Sequence, residues 1–181
     1  MADLHGGSPD GRIEITLDDD QATPVGVVGV DFETFCIHEQ PSLTRALTMA
    51  LDHRELGRDA AAEALTRAWE RWDHVSSLDN PAGWAYRVGL NWGRSRLRKR
   101  RREVATAFVP ERTHSPTDHD DRVTTAIAGL SHDHRDVVIA RYYLDWSEAQ
   151  IAAALDVPAG TVKSRLHRAL QHLEAELGSQ P

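Results

Sequence analysis

The chain has 181 residues, of which 40% are hydrophobic, and a formal net charge of −7. This composition argues against a wholly disordered chain and supports a packed core in one ordinary domain or two small ones. The single cysteine, Cys36, excludes an internal disulfide and a cysteine-based zinc site. The sequence contains neither a membrane span nor a secretion signal, so we expect a cytoplasmic protein without membrane insertion.

The first 28 residues form a segment of distinct composition. Residues 1–28 combine Gly, Asp and Pro, with Asp18, Asp19 and Asp20 in succession. A segment of this kind cannot bury enough apolar surface to fold, which predicts a disordered, acidic N-terminal tail. An alternative interpretation is that the tail is an acidic arm that covers a basic segment of the chain when DNA is absent.

A first helical domain is predicted over residues 29–103. Pro41 and Ser42 are typical of a helix start, Gly57 of a helix end, and Asp59 of the cap of the following helix. Between the first two signals, apolar residues recur at spacings of three and four: Leu43, Ala46, Leu47, Ala50 and Leu51. This period predicts amphipathic helices whose apolar faces pack into one core.

The last helix of this domain is strongly basic. Asn80 followed by Pro81 is a helix start, and residues 81–103 contain eight basic residues and one acidic residue. Because consecutive residues point all around a helix, its basic C-terminal end is expected to project into solvent or along DNA, where it neutralises phosphates. Trp84 and Trp92 lie eight residues apart, and are either core residues or a stacking platform for unpaired bases.

Residues 104–120 contain prolines and lack a helical period, which predicts a flexible linker. A second helical domain is predicted over residues 121–177, where Ser131 caps one helix, and Ser147 with Gln150 forms a capping box for another. Strand patterns do not occur in the sequence. The predicted fold class is therefore all-α, with two small helical domains joined by a flexible linker.

The end of the second domain has the pattern of a helix-turn-helix motif. One helix ends near Leu155, residues 156–158 form a tight turn, and a second helix opens at Pro158 to Gly160. The predicted core positions of that helix are Val162, Leu166, Ala169, Leu170 and Leu173. The predicted DNA-facing residues are Thr161, Lys163, Ser164, Arg165, His167 and Arg168. A helix with this outer face suits the major groove, where basic and hydroxyl side chains contact base edges or phosphates.

Two other classes of protein are weighed against this interpretation. The histidines are not spaced as metal ligands, and the sequence has neither a phosphate-binding glycine loop nor a nucleophile motif, so we expect no catalytic site, metal or cofactor. A stand-alone transcriptional regulator has the same helix-turn-helix, and it would bind duplex DNA tightly without a larger partner.

Three segments together resemble the extracytoplasmic-function (ECF) group of the sigma-70 family, and the resemblance covers roughly residues 31–177. Asp59 to Trp72 is similar to the family's polymerase-binding helix. Asn80 to Asn91, followed by the arginines up to Arg102, is similar to its −10-element helix. Leu130 to Leu173 resembles the domain that binds the −35 element, and Gly160 to Ala169 is the most specific match.

The resemblance implies a sigma factor that binds core RNA polymerase and directs promoter recognition and DNA-templated transcription initiation. It implies that the first domain binds the clamp helices of the largest polymerase subunit, that promoter DNA is bound by both domains, and that an anti-sigma factor controls the protein. The implied polymerase-binding residues are Asp59, Glu63, Arg67 and Trp69. The implied −10-type residues are Trp84, Arg87, Asn91, Arg94 and Arg98.

The sequence departs from the family pattern in the basic helix. Ser95 stands where the family often has Asp, and Gly89 and Gly93 stand where it often has bulkier residues. Each glycine is expected to weaken the helix by about 1 kcal/mol relative to alanine. We expect two separate bundles, each of which presents a cationic edge to a different part of the same double helix.

Overall fold

The computed structural model describes residues 31–104 and 121–178. The predicted tail and the body of the predicted linker lie outside these ranges. The described residues are helical apart from turns and contain no strand, which confirms the predicted all-α class. The helices are α1 Phe32–Leu51, α2 Arg54–Glu70, α3 Trp72–Val75, α4 Pro81–Val104, α5 Asp121–Gly129, α6 His132–Val138, α7 Glu148–Leu155 and α8 Ala159–Gly178, with a π-helical turn at Ile139–Tyr143.

Helix α1 begins earlier than the sequence indicates. The prediction of a start at Pro41 is wrong, because α1 runs without interruption from Phe32 and contains Pro41 in its interior. Asp31 is the N-cap, and its Oδ1 accepts a hydrogen bond of 2.9 Å from the Thr34 backbone N–H. The helix therefore starts at the Asp31 cap and not at Pro41. Hydrogen bonds from Thr34 also lower the pKa of Asp31.

The turn between α1 and α2 differs from the prediction at two positions. Helix α1 ends at Leu51, and its C-cap Asp52 takes the left-handed conformation at φ 51°, so Gly57 is not its stop. His53 is the N-cap of α2, since its Nδ1 accepts from the Leu56 N–H at 3.2 Å, and the predicted cap Asp59 instead lies exposed inside the helix. A histidine cap is an uncommon choice, and the sequence pattern therefore favoured the aspartate.

Gly57 lies where α2 and α1 approach each other closely. A methyl group added at Gly57 would lie 2.5 Å from the Thr48 Cα and 2.6 Å from the Thr48 backbone nitrogen. Only a residue without a side chain permits α2 to cross α1 at this separation.

We expect Gly57→Ala to lower the free energy of unfolding by about 2–3 kcal/mol, because the clash is with the backbone, which cannot rotate away. Urea denaturation of the purified variant measures this loss. Gly129→Ala is the matched control, since a methyl group there meets nothing within 4 Å. Equal stabilities of the two variants would contradict the close crossing.

Gly89 and Gly93 of α4 have a packing role that the sequence did not reveal. A methyl group at Gly89 would lie 2.5 Å from Leu47 Cδ1 and 3.1 Å from the Ala60 carbonyl oxygen, and one at Gly93 would lie 2.4 Å from Leu51 Cδ1. The glycines lower helix propensity, as expected, but they let α4 lie close against α1 and α2. The predicted apolar residues of α1 are buried in the core of the first domain, whereas the buried apolar side chains of α4 are those of Ala85, Tyr86 and Leu90.

The second domain contains the predicted caps. The Ser131 side chain accepts from the His134 N–H, and Ser147 and Gln150 form the reciprocal capping box at the start of α7. A π-helical turn, with a Leu144 N–H to Ile139 carbonyl bond of 3.1 Å, follows α6 and shifts the helical phase. Tyr142, which lies within this turn, is 63% exposed.

The two domains do not lie apart as the sequence predicted, because their buried residues form one continuous core. Tyr86 of α4 stacks edge-on against Trp146, with ring centroids 5.6 Å apart. A methyl group at Gly83 would lie 3.0 Å from the Ala154 Cβ, so α4 and α7 approach closely. Periodicity identifies an apolar face but not the surface that covers it, and here each domain covers part of the other.

Candidate nucleic-acid interface

Helix α8 is the second helix of the helix-turn-helix. Thr161 and Val162 donate their backbone N–H groups to the Pro158 carbonyl, which forms the first turn. Val162, Leu166 and Ala169 are buried, as predicted, and Leu173 packs partly against the same core. Leu170 was predicted in this stripe and is 42% exposed, because its position lies to one side of the line that the other four define.

The outer face of α8 is open to solvent in the arrangement that the structure describes. Lys163, Ser164, His167 and Arg168 are exposed, and Thr161 is half-buried. Among the described residues, Lys163 and Arg168 make no ion pair within 4 Å. The Ser164 hydroxyl donates to the Thr161 carbonyl at 3.0 Å. The outward placement of these residues is therefore as predicted.

Arg165 differs from its neighbours on α8. Its side chain is half-buried, and its guanidinium is hydrogen-bonded and ion-paired with the Asp133 carboxylate of α6. Nothing in the local pattern around Arg165 predicts this partner, which lies 32 residues away along the chain. The Asp133 carboxylate restrains the Arg165 side chain, whereas the Lys163 side chain makes no such ion pair with a described residue.

The predicted −10-type residues share one face of α4. Arg87, Asn91, Arg94 and Arg98 follow spacings of four, three and four, and Trp84 lies one turn before them. Trp84 and Trp92 are both half-buried and pack against the core, which favours the core interpretation for the two rings. The outer side of Trp92 lies under Arg96, whose guanidinium carbon is 4.9 Å from the ring centroid.

Carboxylates of the second domain contact this face of α4. Arg94 Nη2 donates to Asp136 Oδ2 at 2.6 Å, and Arg87 Nη1 lies 3.8 Å from Asp156 Oδ2. Asp136 is buried, and burial raises the pKa of its carboxyl, although the positive charge of Arg94 acts in the opposite direction. Arg94 Nε and Asp136 Oδ1 are buried without a hydrogen-bond partner among the described residues. The pair is therefore joined through one oxygen and one nitrogen only.

The basic end of α4 projects as predicted. The side chains from Arg98 to Arg102 are exposed. Lys99 is 3.9 Å from Glu103, and Arg100 lies 3.4 Å from the His53 ring nitrogen. These contacts are at the surface, where ion pairs add little stability, so the cations of this end remain accessible to phosphate.

The predicted polymerase-binding residues lie together on α2. Asp59, Arg67 and Trp69 are exposed, and Glu63 is half-buried and 2.7 Å from Arg67. Trp69 is 63% exposed, which is unusual for so large an apolar side chain. Its ring lies 5.1 Å from that of Phe32, which in turn packs on Trp72. Nothing in the spacing of residues along α2 predicts this support from the first turn of α1.

Comparison with known proteins shows what the chain is similar to. The family model described as sigma-70, region 4 matches residues 120–173. The RNA polymerase sigma-E factor of Streptomyces avermitilis is 32% identical over 159 residues, which span 83% of this chain and 87% of that protein. The ECF RNA polymerase sigma factor SigL of Mycobacterium tuberculosis is 36% identical over 129 residues, which span 66% of this chain and 73% of that protein. The chain belongs to the ECF sigma factors of the sigma-70 family.

Two solved structures share the fold of this sigma factor. The sigma factor RpoE in complex with the anti-sigma factor NepR from Bartonella quintana has a TM-score of 0.73 at 25% identity, over 83% of this chain and 99% of that chain. CnrH in complex with the cytosolic domain of CnrY has a TM-score of 0.59 at 22% identity, over 83% and 89%, which is a likeness of fold alone. The sequence-based prediction of the family is confirmed. The chain is a sigma factor, which directs promoter recognition and transcription initiation.

In residues 31–104 and 121–178, no group of three or more His, Cys, Asp or Glu side chains is placed to hold a metal ion. Within the same ranges, no helix has the length and apolar character needed to cross a membrane. The expected absence of cofactors and catalysis stays a prediction.

Proposed function

We propose that this sigma factor binds core RNA polymerase through α2, the −10 element through α4 and the −35 element through α8. The observation that carries the proposal is the basic outer face of α8, which is solvent-exposed on a helix-turn-helix within the segment that matches sigma-70, region 4. A helix of this kind fits the major groove, and its lysine and arginine side chains suit guanine edges and phosphates. We also propose that the two domains extend over residues 29–103 and 121–177.

The proposed polymerase contact is the exposed side of α2. An exposed tryptophan supported by an aromatic neighbour is typical of the anchor residues of protein interfaces. Trp69 has this environment, and Asp59, Glu63 and Arg67 add charged groups elsewhere on the same helix. We propose that this surface binds the clamp helices of the largest polymerase subunit.

The proposed contact with the −10 element is the arginine face of α4. Arg87, Asn91, Arg94 and Arg98 lie along one side of the helix, where they can bind the backbone and bases of an unpaired strand. Opening and unstacking DNA costs a few kcal/mol, which contacts of this type offset. We propose Trp84, at the start of the same face, as a further contact.

We further propose that an anti-sigma factor controls this chain and that the chain acts in the cytoplasm. The solved structures of RpoE and CnrH are complexes with NepR and with the cytosolic domain of CnrY, which supports such a partner. We propose no catalytic activity, metal or cofactor, because DNA opening by strand capture needs none.

Transcription in vitro tests the function directly. Purified protein is combined with core RNA polymerase and a library of promoter fragments, and the transcripts are sequenced. We expect initiation from a subset of fragments that share two spaced elements, and none with core polymerase alone. Transcripts that do not depend on the added protein would overturn the proposal.

Lys163 is expected to act mainly as a phosphate contact, because its side chain is exposed and makes no ion pair with a described residue. Lys163→Ala should weaken the binding of polymerase holoenzyme to all promoters by a similar factor. It should also reduce the slope of log affinity against log salt by about 1. A loss confined to promoters with one particular base would show instead that Lys163 contacts that base. Arg165→Ala is the comparison, with an expected cost of about 1–3 kcal/mol at a single base position if Arg165 contacts that base.

A further inference from the structure

Arg165 differs from Lys163 and Arg168, the two other cations on the predicted DNA-facing side of α8. Its guanidinium Nη2 donates to Asp133 Oδ2 of α6, and the Arg165 side chain is 24% exposed, against 59% for that of Asp133. Lys163 and Arg168 make no ion pair with a described residue. The helix therefore presents one restrained cation beside two that a described carboxylate does not restrain.

Arg165 lies at the edge of the DNA-facing side of α8. It follows Thr161 by four residues and precedes Arg168 by three, so the three side chains share one side of the helix. Val162 and Ala169, which are also one turn away from Arg165, are buried. Arg165 therefore stands between the core and the outer face, where a carboxylate of α6 and a DNA base can both reach its guanidinium.

The contact with Asp133 leaves most of the guanidinium available. An arginine has five N–H donors in a planar fork. Among the described residues, only Nη2 of Arg165 has a hydrogen-bond partner. The other N–H groups suffice for the two parallel hydrogen bonds that guanine accepts at O6 and N7 in the major groove. The carboxylate restricts the direction of the fork, since a charge-assisted hydrogen bond is short and strong.

A restrained arginine distinguishes bases better than an unrestrained one. A side chain that is already ordered loses less conformational freedom when it binds. An unrestrained arginine can instead turn to the nearest phosphate, and phosphate contacts carry no sequence information. The carboxylate of Asp133 also places a negative charge beside the DNA-facing side, which opposes the general attraction to DNA. Asp133 is therefore expected to lower the affinity for all DNA and to sharpen the choice of one base.

We propose that Asp133 is a positioning residue for DNA recognition, which directs Arg165 to a guanine in the major groove and away from the phosphates. The inference rests on the proposed function of α8 and deepens it. Arg165, held by Asp133, sets the preference for one base pair. Lys163 supplies affinity that does not depend on the sequence.

The test measures the base preference of the full chain and its variants without polymerase. Each protein is mixed at low salt with duplexes that contain a randomised stretch of base pairs, and the bound and unbound fractions are sequenced. We expect the unmodified chain to prefer guanine at one position by about tenfold, which is within the range of a bidentate arginine contact. Arg165→Ala should abolish this preference, and Asp133→Ala should reduce it to about twofold or less.

Glu174→Ala is the matched control, because it removes the same charge from an exposed position of α8 that makes no ion pair with a described residue. We expect this variant to keep the base preference. Fluorescence anisotropy with one random duplex gives the second readout. Asp133→Ala should bind this duplex at least as tightly as the unmodified chain, since a negative charge beside the DNA is removed. Weaker binding would indicate damage to α8 and would overturn the proposal.

Asp133→Asn replaces Asp133→Ala if the alanine variant does not fold, as judged by circular dichroism. The amide keeps the size of the side chain and an acceptor oxygen but loses the charge, so its hydrogen bond to Arg165 is weaker. We expect the preference for guanine to fall by about threefold or more. An unchanged preference would overturn the proposal, as would a preference that Arg165→Ala retains.

The outcome separates this inference from the proposed function. If the base preferences change as expected but core-dependent transcription fails, the proposed function is wrong and the positioning by Asp133 stands. If transcription depends on the protein but Asp133→Ala keeps the preference of the unmodified chain, the positioning by Asp133 is wrong and the proposed function stands.

Discussion

Arg135→Met is expected to lower the free energy of unfolding of the second domain by about 3–5 kcal/mol. Arg135 is 5% exposed, and burial lowers the pKa of its guanidinium. It donates to the carbonyls of Ile127 at 3.1 Å and Leu130 at 3.2 Å, and also to that of Ala128. These carbonyls lie at the end of α5, where intrahelical partners are missing. Methionine fills most of the space but removes the Arg135 donors from the Ala128 and Leu130 carbonyls, whereas the Ile127 carbonyl still accepts from the Leu130 N–H.

The same arginine also joins the two domains, since its Nη1 donates to the Ala50 carbonyl of α1 at 3.3 Å. Urea denaturation of Arg135→Met measures the loss, with Arg168→Met as the control at an exposed position of α8. The control is expected to change stability by less than about 0.5 kcal/mol. Similar values for both variants would show that the buried hydrogen bonds contribute little.

Trp69→Ala is expected to weaken binding to core RNA polymerase by about 30-fold or more while the protein stays folded. The magnitude follows from an interface anchor, whose truncation costs at least about 2 kcal/mol. Folding is retained because the ring is 63% exposed and contacts the aromatic cluster through Phe32 alone among the ring pairs. Titration of labelled sigma factor with core polymerase measures the affinity.

Tyr142→Ala is the control for Trp69→Ala, because its ring is also 63% exposed but lies in the second domain. We expect this variant to bind core polymerase within about threefold of the unmodified protein, as most exposed positions contribute little to an interface. A large loss for Tyr142→Ala and none for Trp69→Ala would move the polymerase contact away from α2.

The sequence predicted what depends on local patterns. Ser131, Ser147 with Gln150, and Asn80 with Pro81 mark helix starts that the structure contains, because capping involves residues only a few positions apart. The outward residues of α8 and the arginine face of α4 also follow from a single helical period. Family resemblance then linked these faces to transcription initiation.

What the sequence did not predict depends on partners that are distant along the chain. Arg94 and Asp136 are 42 residues apart, and nothing in their spacing indicates that they meet. Gly57 has the residue type of a helix stop, but the backbone of Thr48 explains its presence. The periodicity predicted an apolar face for each domain. It did not show that each domain covers part of the other, because that depends on tertiary packing.

The most direct test of the account is the affinity of one promoter fragment, selected by transcription, for the protein alone and for the protein with core polymerase. We expect the free protein to bind the fragment weakly, because carboxylates of the second domain contact the arginine face of α4. Addition of core polymerase should tighten binding by about 100-fold or more, with protection at both promoter elements. Equally tight binding without polymerase would contradict the account.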